Sequence, residues 1–117
     1  MEEKIKVLII EDSVQAREAL CAVLESNGFD VHCCGDGESA LSAAAHNEFE
    51  VIITDYRMPN MNGVEVTRRL RARLPGSIII GVSSDHVSEA FLAAGADAFL
   101  LKPYRYSELL NLLRMRR

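Results

Sequence analysis

An α/β domain, in which five strand–helix units build a parallel sheet, is the fold class that these 117 residues predict. Two textures alternate along the chain. Short apolar runs rich in β-branched residues recur with almost no polar interruption, as befits strands covered on both faces. Between them lie segments whose apolar residues return every three or four positions, as on one side of a helix. The alternation repeats five times, and each crossover between parallel strands is expected to be right-handed.

The first run, Val7–Ile10, is followed by a stripe of Ala16, Leu20, Val23 and Leu24 that stops at Asn27-Gly28, a natural C-terminal cap. A weaker run, Phe29–Cys33, precedes a stripe of Ala40, Leu41, Ala44 and Ala45. The third run is Val51–Thr54, with a helix carried by Val66, Leu70 and Leu74 between Asn62 and Pro75-Gly76. Ile78–Val82 is the fourth. Its helix, marked by Val87, Ala90, Phe91 and Ala94, is expected to start at Ser84 or Asp85 and to end at Gly95. Ala98–Leu101 and the stripe of Leu109, Leu110, Leu112 and Leu113 complete the series. With no repeat, low-complexity segment or Pro/Gly-rich linker, residues 1–117 read as one domain.

Composition narrows the function classes. The formal net charge is −4, so the chain as a whole carries no electrostatic footprint for nucleic acid. Its basic cluster, Arg114, Arg116 and Arg117, reads as favourable charge at a helix C-terminus, or as the point where a linker to another domain was cut. Cys21, Cys33 and Cys34 are odd in number and lack CxxC spacing, so they are expected to be reduced thiols of a cytoplasmic protein. Cys33 and Cys34, adjacent in a strand, should point to opposite faces. No run approaches the roughly 18 apolar residues of a membrane span, and no apolar signal region follows Met1-Glu2-Glu3-Lys4.

The residues that end each run carry the chemistry. Glu11 and Asp12 follow the first, Asp55 the third, Ser83-Ser84 the fourth and Lys102-Pro103 the fifth. In an open α/β sheet these positions lie at the carboxyl edge, where such folds bind ligands. Three carboxylates, a hydroxyl and an ammonium therefore converge. Acids at close range repel one another, and a hard divalent cation offsets that repulsion, because the candidate ligands are all oxygens with no His among them. Mg²⁺ fits, with Mn²⁺ as the alternative, since it takes a few protein oxygens and leaves positions for water and a phosphate. Lys102 then supplies a point charge for phosphoryl oxygens and Ser83 a hydroxyl donor. The chemistry is an in-line phosphoryl transfer onto a carboxylate.

In this order and spacing, the marks resemble the receiver domain of bacterial two-component response regulators, from Val7 to Leu113. They are Glu11-Asp12, the stretch Asp55-Tyr56-Arg57-Met58-Pro59-Asn60-Met61-Asn62-Gly63, Ser83-Ser84, Ala93-Ala94-Gly95-Ala96-Asp97 and Lys102-Pro103. The resemblance implies a doubly wound, flavodoxin-like sheet of strand order 2-1-3-4-5. It implies that Asp55 is the phosphoacceptor, supplied by a sensor histidine kinase, a phosphotransfer protein or a small phosphodonor. Asp12 and Asp55 would ligate Mg²⁺ through their side chains, Glu11 directly or through water, and Arg57 through its backbone carbonyl. Lys102 would hold the phosphoryl group, its direction fixed by a cis Lys102-Pro103 bond. Ser83 would swing toward that group and Phe99 into the space vacated. The signal would then appear on the fourth helix, fifth strand and fifth helix, for a partner or an attached output domain. Such a protein assists its own phosphorylation and dephosphorylation and is not otherwise an enzyme.

Some positions depart from that family's pattern. Glu11 stands where the family usually has Asp, and its extra methylene moves metal contact outward. Ser83, where Thr is common, is less constrained at χ1. Phe99, where Tyr is frequent, has no hydroxyl, so its two positions differ by packing alone. Ala98 and Leu112 fall where winged-helix relatives carry an acid and an Arg for dimer salt bridges, which weighs against that dimer mode. Arg57 and Asp85, two residues after Asp55 and Ser83, are expected near the site. They either pair across its mouth and limit water access, or form a solvated pair of little energetic weight. His86 reads as a solvated first-turn residue, His32 and His46 lack partners at ligand spacing, and Met58 and Met61 read as packing under a loop. Two other classes compete. A receiver-like interaction module acting without phosphorylation is disfavoured by the presence of Asp12, Asp55 and Lys102. A Mg²⁺-dependent phosphatase is disfavoured by Arg57, which stands where such enzymes need a second acid.

Overall fold

The computed structural model describes residues 3–114. Strands and helices alternate along it: β1 (Lys6–Ile10), α1 (Val14–Ser26), β2 (Asp30–Cys34), α2 (Gly37–His46), β3 (Val51–Asp55), α3 (Gly63–Arg73), β4 (Ile78–Ser83), α4 (Ser88–Ala94), β5 (Ala98–Leu101) and α5 (Tyr106–Arg114). The strands form a parallel sheet in the order β2-β1-β3-β4-β5, the doubly wound, flavodoxin-like arrangement. Arg114 lies in the last turn of α5, whereas Arg116 and Arg117 of the expected basic cluster lie outside the described residues.

The two central runs explain the layering. Val7 to Ile10 and Val51 to Thr54 are buried throughout, so these runs are almost wholly apolar. Alternate residues serve opposite faces. Leu8, Ile10 and Ile52 pack with Ala40, Val66, Leu70 and Phe91 on the side of α2, α3 and α4. Val7, Ile9 and Ile53 pack with Leu20, Leu24, Leu109 and Leu113 on the side of α1 and α5. Cys34 joins the first core and Cys33 the second, as neighbours in a strand must.

Ser13, Asp36 and Asn62 cap α1, α2 and α3 by accepting from the backbone N–H groups of Ala16, Ser39 and Glu65. The fourth helix differs from expectation. It starts at Ser88, with Val87 at its N-cap and no side-chain cap, while Ser84, Asp85 and His86 form a bend before it. The reason is competition: the Asp85 carboxylate is taken by Arg57 and is not free to cap. His86 is therefore exposed in that bend and not in a first turn. With seven residues, α4 buries Phe91 and Ala94, and Ala90 faces outward. Ala16 and Ala45 are likewise exposed, since alanine suits either side of a helix.

At the amino edge of the sheet Arg71, on α3, holds both the α3–β4 and the α4–β5 connections. Its Nε donates to the Gly95 carbonyl at 2.9 Å, Nη1 to that of Ser77 at 2.6 Å, and Nη2 to Asp97 Oδ2 at 2.6 Å. Asp97 Oδ2 also accepts from the backbone N–H of Ile79 at 2.9 Å. Gly95 sits at φ 115°, and a Cβ there would lie 2.9 Å from Arg71 Cγ, so the close approach needs glycine. No helix among the described residues is long and apolar enough to cross a membrane.

Candidate functional site

At the opposite, carboxyl edge the ends of β1, β3, β4 and β5 meet. Parallel register sets Ile10 beside Thr54, which brings the acids that follow each strand together. One carboxylate oxygen from each of Glu11, Asp12 and Asp55 lies within 4.8 Å of the other two. Lys102 Nζ stands 3.1 Å from Glu11 Oε1 and 3.4 Å from Asp55 Oδ1. The cluster is graded from inside to outside: Glu11 is buried, Asp55 half-buried and Asp12 exposed.

Each member is held by a specific contact. Glu11 Oε2 accepts from the backbone N–H of Ser13 at 3.1 Å, so its two oxygens serve Lys102 and Ser13. Asp55 Oδ1 accepts from the backbone N–H of Tyr56 at 2.9 Å. Ser83 is buried, its Oγ accepting from the backbone N–H of Asp85 at 3.0 Å. The Ser83 carbonyl accepts from the Lys102 N–H at 2.7 Å, and the Lys102-Pro103 bond is cis. Burial works against the Lys102 ammonium, but the Asp55 and Glu11 carboxylates outweigh it and hold its pKa above the usual lysine value. Lys102 is charged at neutral pH.

Arg57 and Asp85 form a two-pronged ion pair, Nε to Oδ2 at 2.5 Å and Nη2 to Oδ1 at 3.2 Å. It ties the loop after β3 to the loop after β4. The Arg57 hydrogen bond holds the Asp85 carboxyl below its ordinary range. Phe99 is half-buried on the α4 side, its ring 5.6 Å from that of Phe91, which stands 6.1 Å from Tyr56. Met58 and Met61 pack against the same core.

Gly63 is the tightest point beneath Asp55. Its N–H donates to the Tyr56 carbonyl at 2.8 Å, and a Cβ there would lie 1.9 Å from the Asp55 carbonyl oxygen. Backbone must therefore move to admit even a methyl group. Gly63→Ala is expected to lower stability by about 3 kcal/mol in urea titration. An unchanged midpoint would mean that the loop yields freely.

Two residues without a distinctive motif adjoin the cluster. Arg17, one turn into α1, donates from Nη1 to the Glu11 carbonyl at 2.8 Å. Its only sequence signal was the distance of one helical turn from the Ser13 cap. Tyr104, the aromatic after Lys102-Pro103, borders a cleft of about 370 Å³ with Ile9, Ala16, Leu20 and Lys102. Burial first, then the charges of Tyr106, Glu11 and Asp55, push its phenol up to about 12. The folded state thus keeps a proton that the unfolded chain releases near pH 10, so stability falls as pH rises from roughly 10. Alkaline absorbance titration should show one phenol lagging near pH 12, and Tyr104→Phe should remove it.

The doubly wound sheet with these acids and lysine on its carboxyl edge defines the class. The chain belongs to the response regulator receiver domain family, whose model matches residues 7–114. Response regulator MprA of Mycobacterium sp. (strain KMS) is 38% identical over 115 residues, covering 94% of this chain and 49% of the relative. The chain thus spans about half the length of the curated relatives it matches. Chemotaxis response regulator CheY4 of Vibrio cholerae superposes with a TM-score of 0.90 at 29% identity, covering 98% of this chain and all of that one. A CheY-like receiver domain protein from Methanospirillum hungatei JF-1 gives 0.91 at 26% identity, covering 96% and 92%. The chain carries the receiver domain of a two-component response regulator.

Proposed function

We propose that the chain is a phosphoacceptor switch, in which Asp55 takes a phosphoryl group from the phosphohistidine of a sensor histidine kinase or a phosphotransfer protein. The observation that carries this reading is the meeting of three carboxylates within 4.8 Å, with Lys102 bridging two of them. The contacts to Tyr56 and Lys102 fall on Asp55 Oδ1, which leaves Oδ2 as the attacking oxygen. It forms the P–O bond as the P–N bond breaks, and the imidazole leaves with the electron pair and takes up a proton.

The donor set fits Mg²⁺: all oxygens, mostly anionic, and open to solvent at Asp12. Asp12, Asp55 and the Arg57 carbonyl would hold it, with Glu11 acting through water because Lys102 and Ser13 occupy both its oxygens. Bound there, the ion neutralises phosphoryl charge. Lys102 turns its ammonium to the phosphoryl oxygens, and Ser83 gives up its bond from Asp85 to donate to them. Phe99 follows into the vacated space. The readout is the face of α4, β5 and α5, where Leu92 and Leu101 are exposed, presented in the cytoplasm to a partner or attached domain.

Incubation with acetyl phosphate and Mg²⁺ should add one phosphoryl group, mapped by peptide mass to Asp55, and should add none when the metal is chelated beforehand. Modification elsewhere, or none even with a phosphorylated histidine kinase, would sink the proposal. The Arg57–Asp85 pair limits water access to the acyl phosphate in this reading. Arg57→Ala should then shorten its lifetime several-fold, and an unaltered dephosphorylation rate would remove the pair from the mechanism.

A further inference from the structure

Two thiols outside the acidic cluster form a site of their own. Cys21 lies on α1 and Cys33 on β2, along which α1 packs. Both are half-buried, whereas Cys34 is buried in the opposite core. Cys21 and Cys33 face one another's elements across the α1–β2 packing. They also share a surface groove of about 340 Å³, lined by Arg17, Glu18, Cys21, Ala22, Glu25 and Cys33, which opens them to small solutes.

We propose that Cys21 and Cys33 are an oxidisable pair, at which a peroxide closes a disulfide between α1 and β2. The roles of the two sulfurs differ. Burial, then the Cys21 sulfur, push the Cys33 thiol up to about 12, so Cys33 keeps its proton. In the proposal, Cys21 Sγ attacks the peroxide first. An S–O bond forms as the O–O bond breaks, leaving a sulfenic acid and one water. Cys33 Sγ then displaces the sulfenic oxygen: the S–S bond forms, the S–O bond breaks, and the Cys33 proton leaves in a second water. Two thiols lose two electrons and the peroxide gains them.

The groove also contains Arg17, whose Nη1 holds the Glu11 carbonyl at 2.8 Å and would lie 2.9 Å from a Cβ on Gly35. In the proposal, a bond between α1 and β2 restrains Arg17 and, through it, the acid end of β1. Oxidation then slows uptake of the phosphoryl group, an effect that rests on Asp55 being the phosphoacceptor.

The test treats the whole chain with hydrogen peroxide and maps it by non-reducing peptide mass. The expected product lacks two hydrogens, links Cys21 to Cys33, returns to the starting mass with dithiothreitol, and persists in Cys34→Ser but not in Cys33→Ser. A Cys33–Cys34 link, a link between chains, or stable acids on single cysteines would overturn the pair; wild-type protein alone distinguishes these. Acetyl phosphate labelling should be several-fold slower in the linked form than in the reduced one. Equal rates would overturn the coupling, whereas no labelling of the reduced protein would overturn the phosphoacceptor reading and leave the disulfide standing.

Discussion

Asp55→Asn is expected to accept no phosphoryl group and, in the same protein, to make the metal-free fold more stable by roughly 1 kcal/mol. An amide oxygen still accepts from the Tyr56 N–H, and its volume matches, so packing is preserved. The nucleophilic carboxylate is gone, which ends the chemistry. One of three negative charges within 4.8 Å is gone too, while Lys102 keeps Glu11 as its partner. Functional sites hold such repulsion at a cost to stability, so removing it should stabilise. Mass analysis after acetyl phosphate treatment reads the first effect, and urea titration in chelator reads the second. A variant no more stable than wild type would show that the acids do not strain the fold.

Lys102→Met should act in the opposite direction on stability. Methionine keeps the apolar stem of the side chain and removes its charge. Glu11, buried, then loses the ion pair to its carboxylate. Metal-free stability should fall by about 1–2 kcal/mol, less than for a fully buried pair because the Lys102 side chain is 31% exposed. Mg²⁺ should bind more tightly to the more negative cluster, yet phosphorylation should slow roughly 10²-fold, since the ammonium no longer meets the charge developing on the phosphoryl group. Calorimetric Mg²⁺ titration and the labelling rate measure the two. The wild-type contribution is fully present at neutral pH. Lys102 has a raised folded pKa, so its share is complete below the ordinary lysine value and is lost only as pH climbs through the folded one. Weaker Mg²⁺ binding in this variant would contradict the charge argument.

Much of this architecture could be read from local pattern. Buried strands write themselves as apolar runs, so Val7–Ile10 and Val51–Thr54 identify β1 and β3 within a residue of their observed ends. Polar residues closing those runs mark the carboxyl edge for the same reason. Strand order was not in the periodicity and came from the family resemblance. Pairings over long separations were also hidden. Lys102 meets Glu11 across 91 residues, and nothing local in either segment says so. The start of α4 at Ser88 is not legible locally, because Asp85, a good cap by local rules, is claimed by Arg57 from 28 residues earlier. Tyr104 and Arg17 have no local mark, because a tyrosine or arginine near a turn has no pattern until the fold brings acids to it.

The Arg71 knot at the amino edge has a mechanical corollary. It fastens Gly95, just past the end of α4, to the body of the protein, whereas the other end of α4, at Ser88, has no side-chain cap. Any displacement of α4 is therefore a swing about a fixed pivot, with the travel greatest next to Ser83 and smallest at Gly95. Leu92, nearer the pivot, would shift less than Ser88, so a partner sensing that motion gains most by gripping the helix at its Ser88 end.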